Sequence, residues 1–177
     1  GSLTLTAPNG GQAWVVGTSQ NITWTKSGTL PNLKLEYSKN GFADELQTFL
    51  ITSAATGSAL SYPWTIPDAI GSTTKVRATY DTTPDTLDLS DVSDAVFSIK
   101  GSLTVTVPNG LEQWPINGAQ TITWTKTGTL TGNLKLEYST DGGVTYPVGN
   151  LISDTVPAAN SSFAWTVPDN PSGVSVT

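Results

Sequence analysis

The sequence predicts an all-β protein built as tandem antiparallel β-sandwiches, the second copy truncated. Three observations carry that prediction. Apolar and polar residues alternate with period two along most of the 177 residues, no stretch sustains a helical period, and the chain repeats itself after about 100 residues. Composition agrees with a packed, wet-surfaced β protein: Ser and Thr supply about a quarter of the residues, charged residues 12%, and six Trp are present. Cys, Met and His are all absent. That excludes disulfides, thiolate or imidazole metal sites and every His-dependent triad. Eight Lys+Arg against fourteen Asp+Glu leave a net charge of −6. Cations so few and scattered form no basic stripe for phosphates, so nucleic acid is excluded as a partner. The apolar runs are a few residues long, far short of the ~20 that cross a bilayer as a helix, and no membrane insertion is expected within this segment.

The repeat is explicit. GSLTLTAPNG at 1–10 returns as GSLTVTVPNG at 101–110, and eighteen of the thirty-one positions from residue 1 match those from residue 101. NLKLEYS recurs at 32–38 and 133–139, and WTIPD at 64–68 returns as WTVPD at 165–169. A period of this length is too long for a solenoid unit and is read as two domains, 1–100 and 101–177. Residues 77–100 have no counterpart in the second copy. Repeat 2 is therefore expected to lack most of its last two strands, and the chain to be a window in a longer array.

The elements follow from alternation and from turn residues. In repeat 1, Leu3 and Leu5 alternate with Thr4 and Thr6, predicting a strand over 2–7. Ile22 and Trp24 mark a strand over 20–26, and Leu33, Leu35 and Tyr37 one over 32–38. Further strands are predicted over 46–51, 59–66 (Tyr62, Trp64 and Ile66 inward), 74–81 (Val76, Ala78 and Tyr80) and 95–100 (Phe97 and Ile99). In repeat 2 the matching strands are expected over 102–107, 120–126, 133–139, 146–152 and 160–167, followed by the beginning of a sixth. Pro8-Asn9-Gly10, Ser27-Gly28, Asn40-Gly41 and Pro67-Asp68 punctuate the runs. About seven short strands in 100 residues indicate a two-sheet sandwich of immunoglobulin type. With no inter-sheet disulfide, Trp24 and Trp64 are expected to supply the central packing. Phe97-Ser98-Ile99-Lys100 runs almost directly into the next strand, which predicts a stiff, extended junction.

A Trp after Pro-Asn-Gly, the I-T-W-T strand, the L-x-L-x-Y-S strand and the W-T-[IV]-P-D strand end together resemble the Ser/Thr-rich Kre9/Knh1-like immunoglobulin-like domains of fungal wall proteins, also found in bacterial surface proteins. The resemblance covers repeat 1 throughout and repeat 2 to its truncation. It implies an extracellular or cell-surface location and an architectural role, with no catalytic residues to carry over.

Several residues have the chemistry for a site. Asp81, Asp85, Asp88, Asp91 and Asp94 place five acids within fourteen residues. Such clusters suit Ca²⁺, which prefers carboxylate and carbonyl oxygens; the competing reading is a loop whose acids cap turns and keep an edge soluble. Trp14 and Trp114 fall in a predicted loop, where an exposed indole would stack on a glycan; the alternative is a plug over the end of the sandwich. Asn21 and Asn160 open N-glycosylation sequons. Glu36/Glu137 and Asp68/Asp169 recur in both copies, as a glycosidase pair would require, but the glutamates alternate with apolar residues beside lysines and the aspartates sit in turns. Residues 139–146, STDGGVTY, match a hairpin motif whose Ser and Asp satisfy turn amides rather than perform chemistry.

What copies between repeats is core and turn, whereas the candidate sites mostly fail to copy. The expected function is a non-catalytic structural spacer or assembly module of a longer extracellular protein that needs no cofactor, with Ca²⁺ at the acidic cluster as the one candidate ligand. Its expected partners are neighbouring repeats, including self-assembly through strand pairing. The alternative is a carbohydrate-binding or adhesive module, with a cell-surface polysaccharide as partner. Least supported is an accessory domain of a secreted glycosidase.

Overall fold

Repeat 1 begins with β1 (Ser2–Ala7), which pairs antiparallel with β3 (Ser19–Ser27), and β3 pairs in turn with β6 (Ser61–Thr65). The second sheet runs in the order β2 (Ala13–Val15), β9 (Phe97–Lys100), β7 (Gly71–Tyr80), β4 (Asn32–Ser38), β5 (Thr48–Thr56), with β8 (Leu89–Val92) also pairing with β7. These assignments come from a computed structural model that describes residues 1–80 and 89–169. The chain divides into two compact units, Gly1–Gly101 and Ser102–Thr177. All elements longer than a single 3₁₀ turn are strands, so the all-β, sandwich-type architecture read from the sequence is the observed one. Among the described residues no helix is long and apolar enough to cross a membrane.

The core of unit 1 lies between the two sheets and is made by the inward half of each alternating strand. Leu3 and Leu5 of β1, Ile22 and Trp24 of β3 and Trp64 of β6 face Leu33 and Leu35 of β4, Val76 and Ala78 of β7, and Phe97 and Ile99 of β9. All are buried, and their Thr, Ser and Lys neighbours point outward. Trp24 sits at the centre, and its indole N–H donates to the Gly57 carbonyl at 3.1 Å, which satisfies the one polar atom that its burial would strand. Two hydroxyls, those of Thr48 and Thr74, find no partner among the described residues, and Thr74 is 1% exposed. Thr74→Val keeps the shape and removes a stranded polar group. It should raise the unfolding free energy of repeat 1 by about 1 kcal/mol; a fall would show that the hydroxyl is bonded in solution.

Unit 2 repeats the first sheet closely. β10 (Ser102–Val107) pairs with β11 (Ala119–Thr127), which pairs with β14 (Ser162–Thr166). Even the register shift copies, falling at Leu5/Ala7 in one unit and at Val105/Val107 in the other. Its second sheet differs. β12 (Asn133–Glu137) pairs with β13 (Leu151–Pro157), and no counterpart of β7, β8 or β9 covers them among the described residues. The expected beginning of a sixth strand in repeat 2 lies outside the described residues.

The structure revises four strand assignments. The strand expected over 46–51 is displaced to Thr48–Thr56, and its copy over 146–152 to Leu151–Pro157. Both pair antiparallel with the NLKLEYS strand through two register shifts, and that pairing sets their limits. Short β2 and β8 were not foreseen. β2 joins β9 in parallel within a segment read as a loop, and β8 lies inside the acid-rich segment. Three and four residues are too few to show an alternation of their own; pairing with a neighbour makes them strands.

Candidate functional site

Tyr37 is the last inward residue of β4, and the register sets it opposite Phe49 of β5. Their rings stack with centroids 5.1 Å apart and planes inclined by 24°. Tyr37 also leans on Trp64 of β6 at 5.2 Å. Tyr62, two residues earlier on the same strand, falls on the same side by alternation. These side chains line a groove of about 580 Å³ between β5 and β6, with Pro63 and Pro67 on its wall. Phe49 is 38% exposed and Tyr62 is half-buried, so the groove presents aromatic surface to water. Burial pushes the Tyr37 phenol above its ordinary value, so the groove carries no charge from it near neutrality. Flat rings at a groove edge suit the apolar C–H face of a sugar or the ring of a proline. The aromatics expected to meet a glycan, Trp14 and Trp114, lie elsewhere. The signal for this groove is weak in the sequence: Phe49 falls in the strand expected over 46–51, and Tyr62 reads as an inward residue beside Trp64 and Ile66.

Trp14 is not an exposed platform. The β2–β9 pairing sets it beside Ile99, and its indole packs edge-on against Trp64 at 6.1 Å and obliquely against Phe97 at 5.1 Å. At 9% exposure it offers no face to a glycan and acts as the plug. Trp114 meets Trp165 in the same edge-on manner at 6.1 Å, but it remains half-buried.

Of the five acids, Asp81, Asp85 and Asp88 lie outside the described residues. The other two are bound by the protein itself. The Asp91 carboxylate accepts the Leu5 amide at 2.7 Å and so closes the free edge of β1. Asp94 and Asn9 form a reciprocal pair: Asn9 Nδ2 donates to the Asp94 carboxylate at 2.6 Å, and the Asp94 amide donates to Asn9 Oδ1 at 2.7 Å. Among the described residues no three potential ligands converge on a metal position. Asn21 on β3 and Asn160 in the turn before β14 are both exposed.

The recurring carboxylates are placed for structure. Arg77 of β7 donates through Nε at 3.1 Å and Nη2 at 3.0 Å to one oxygen of Glu36, while Lys34 pairs with the other at 3.2 Å. Although Glu36 alternates with apolar residues and so points away from the core, its side chain is only 12% exposed, because Arg77 comes across from the neighbouring strand and also lies over the Phe42 ring at 4.6 Å. In repeat 2 the matching Glu137 pairs with Lys135. Asp68 and Asp169 are exposed residues after proline. No carboxylate of this set is poised as an acid opposite a base.

The hairpin at 139–146 is organised as its pattern implied. Ser139, fully buried, accepts the Asp141 and Gly143 amides and donates to Asp141 Oδ1 at 2.5 Å. Asp141 also accepts the Val144 and Thr145 amides and the Thr145 hydroxyl. Repeat 1 builds the same turn with Asn40 in place of Asp141, and Ser38 accepts the Asn40 and Phe42 amides. The Ser139 and Thr145 hydroxyls, followed by the backbone amides, hold the Asp141 carboxyl down at about 2. A depressed value means that the turn is reinforced fully above the ordinary 3.8 and loses that support as pH falls through about 2. NMR titration of the side-chain carboxyl should give a midpoint near 2, and a midpoint at the ordinary value would rule out the hydroxyl bonds.

No protein-family model matches the chain, and no curated protein matches it. Among solved structures, the chain is similar to the fibronectin(III)-like modules of Clostridium thermocellum CbhA, at 18% identity. The match covers 93% of this chain and 78% of that one, with a TM-score of 0.37. A likeness this distant carries no functional argument.

Proposed function

We propose that the chain is a non-catalytic structural spacer or assembly module of an extracellular, cell-surface protein. One observation carries the reading: the two repeats copy the residues that make a sandwich, and the groups with chemical potential are occupied in holding it together. Trp24 and Trp124 both cap a backbone carbonyl from the core, Ser38 and Ser139 both organise a turn, and Glu36 and Glu137 both sit in ion pairs. The motif likeness to Ser/Thr-rich wall proteins supports the same reading.

A second reading is favoured by the groove whose accessible aromatics are Phe49 and Tyr62, which would suit a carbohydrate-binding or adhesive module. A pull-down of the whole chain on insoluble wall polysaccharides and a soluble glycan array separates the two. The spacer reading expects no retention. Retention that is lost in Phe49→Ala and Tyr62→Ala, both at exposed or half-exposed positions, would replace it with the adhesive one.

A further inference from the structure

Near its start, repeat 1 is fastened to its own last strand. The Pro8 carbonyl accepts the Ser93 hydroxyl at 2.7 Å, and Asn9 and Asp94 exchange two bonds. Further along, the Gly11 amide donates to Val96 O at 3.0 Å, the Ser98 amide to Gln12 O at 2.9 Å and the Val16 amide to Lys100 O at 2.9 Å. Between these bonds β2 and β9 run in register, Ala13↔Ser98, Trp14↔Ile99 and Val15↔Lys100. The pair is parallel, whereas every other strand pairing among the described residues is antiparallel.

Direction decides how such a ladder meets tension. The chain enters β2 from Gln12 and leaves β9 at Lys100, and in a parallel pair those points lie at opposite ends. A pull along the chain slides β2 past β9, so the ladder bonds stretch together. In an antiparallel pair entry and exit share one end, and bonds open one at a time. A single residue, Gly101, separates β9 from β10, so tension from the following strand reaches β9 without slack. Trp14, packed on Trp64 and Phe97 at 9% exposure, seals the inner side of the ladder against water that would replace its bonds. We propose that β2 and β9 form a shear clamp through which repeat 1 carries tension along an extracellular array. The proposal deepens the spacer reading and rests on it, giving the spacer a mechanical task.

The chain has no native cysteine, so Ser2→Cys and Lys100→Cys, both at exposed positions, give defined handles for pulling on repeat 1 within the whole chain in optical tweezers. Val16→Pro removes the donor to Lys100 yet suits its turn, in which Gly17 has φ 80° and the Thr18 amide bonds Val15 O at 3.1 Å. Val15→Pro is the control: the amide next to a ladder donor faces away from β9, and repeat 2 carries Pro115 at that place. At equal load Val16→Pro should unfold repeat 1 about tenfold faster, and Val15→Pro should stay within about twofold of the parent chain. Handles at Thr18→Cys and Lys100→Cys sit at the same end of the ladder, and repeat 1 should then open at about half the force or less. Equal effects of the two prolines, or equal forces for the two pairs of handles, would overturn the proposal. The comparison of handles leaves the ladder bonds intact and decides the matter even where Val16→Pro does not fold. Polysaccharide retention with the force pattern intact would defeat the spacer reading and leave the clamp standing; a lost force pattern without retention would do the reverse.

Discussion

Trp64→Ala should cost repeat 1 about 4 kcal/mol, while the same change at Trp165 should cost repeat 2 about half as much. Trp64 is nearly sealed between the sheets, with Trp14 edge-on at 6.1 Å and Tyr37 at 5.2 Å, so its loss leaves a large cavity that flanking strands cannot close. Trp165 has the equivalent neighbours, Trp114 at 6.1 Å and Tyr138 at 5.4 Å, but stands half-buried on an open groove. Water already reaches one side of it, so less apolar area is returned to solvent and the cavity is not enclosed. Hydrogen exchange on the central strands of each unit reads the two losses separately. Equal losses would mean that Trp165 is as fully enclosed in solution as Trp64.

Gly57→Ala is the second large effect, expected at about 3 kcal/mol in repeat 1. A Cβ on Gly57 would lie 2.1 Å from the Leu30 carbonyl oxygen and 2.9 Å from its carbon. Both are backbone atoms, so no rotamer change relieves the contact. The glycine is also tied on both sides, donating its amide to Pro31 O at 2.9 Å and accepting the Trp24 indole N–H at 3.1 Å. Any retreat therefore strains the central tryptophan. Repeat 2 carries Ala158 at this place, buried, with its amide donating to Gly132 O at 2.9 Å. It tolerates the methyl because its loop has one more residue: TLPNL in repeat 1 becomes TLTGNL in repeat 2. Replacing Pro31 by Thr-Gly in the Gly57→Ala chain should recover most of the lost stability. A Gly57→Ala chain with an unchanged denaturation midpoint would show that the loop yields freely.

How much of this was open to sequence reading depended on the range of the interaction. Period-two alternation in Leu3/Leu5, Ile22/Trp24 and Leu33/Leu35/Tyr37 located the long strands, because one wet face and one packed face impose it residue by residue. The turn at 139–146 was equally readable, since Ser139, Asp141 and Thr145 bond within a few residues of one another. The sandwich end at Trp14 was not. Whether that indole faces water or Trp64 depends on β9, more than eighty residues away, and β9 makes the three-residue β2 a strand at all. Asp91 and Asp94 show the same limit. As acids in a polar stretch they matched a cation site, and only the folded chain brings Leu5 and Asn9 to them.

The division is clearest where the sequence is identical. NLKLEYS and the flanking tryptophans fix a strand and its inward face in both repeats, because those follow from local pattern and composition. That Leu35 is sealed and that Glu36 meets an arginine follows from β7, which lies along the other edge of β4. That is a tertiary matter. A strand's backbone bonds and one of its faces are completed by chain remote in sequence, so its own residues set which face points inward but not what covers that face.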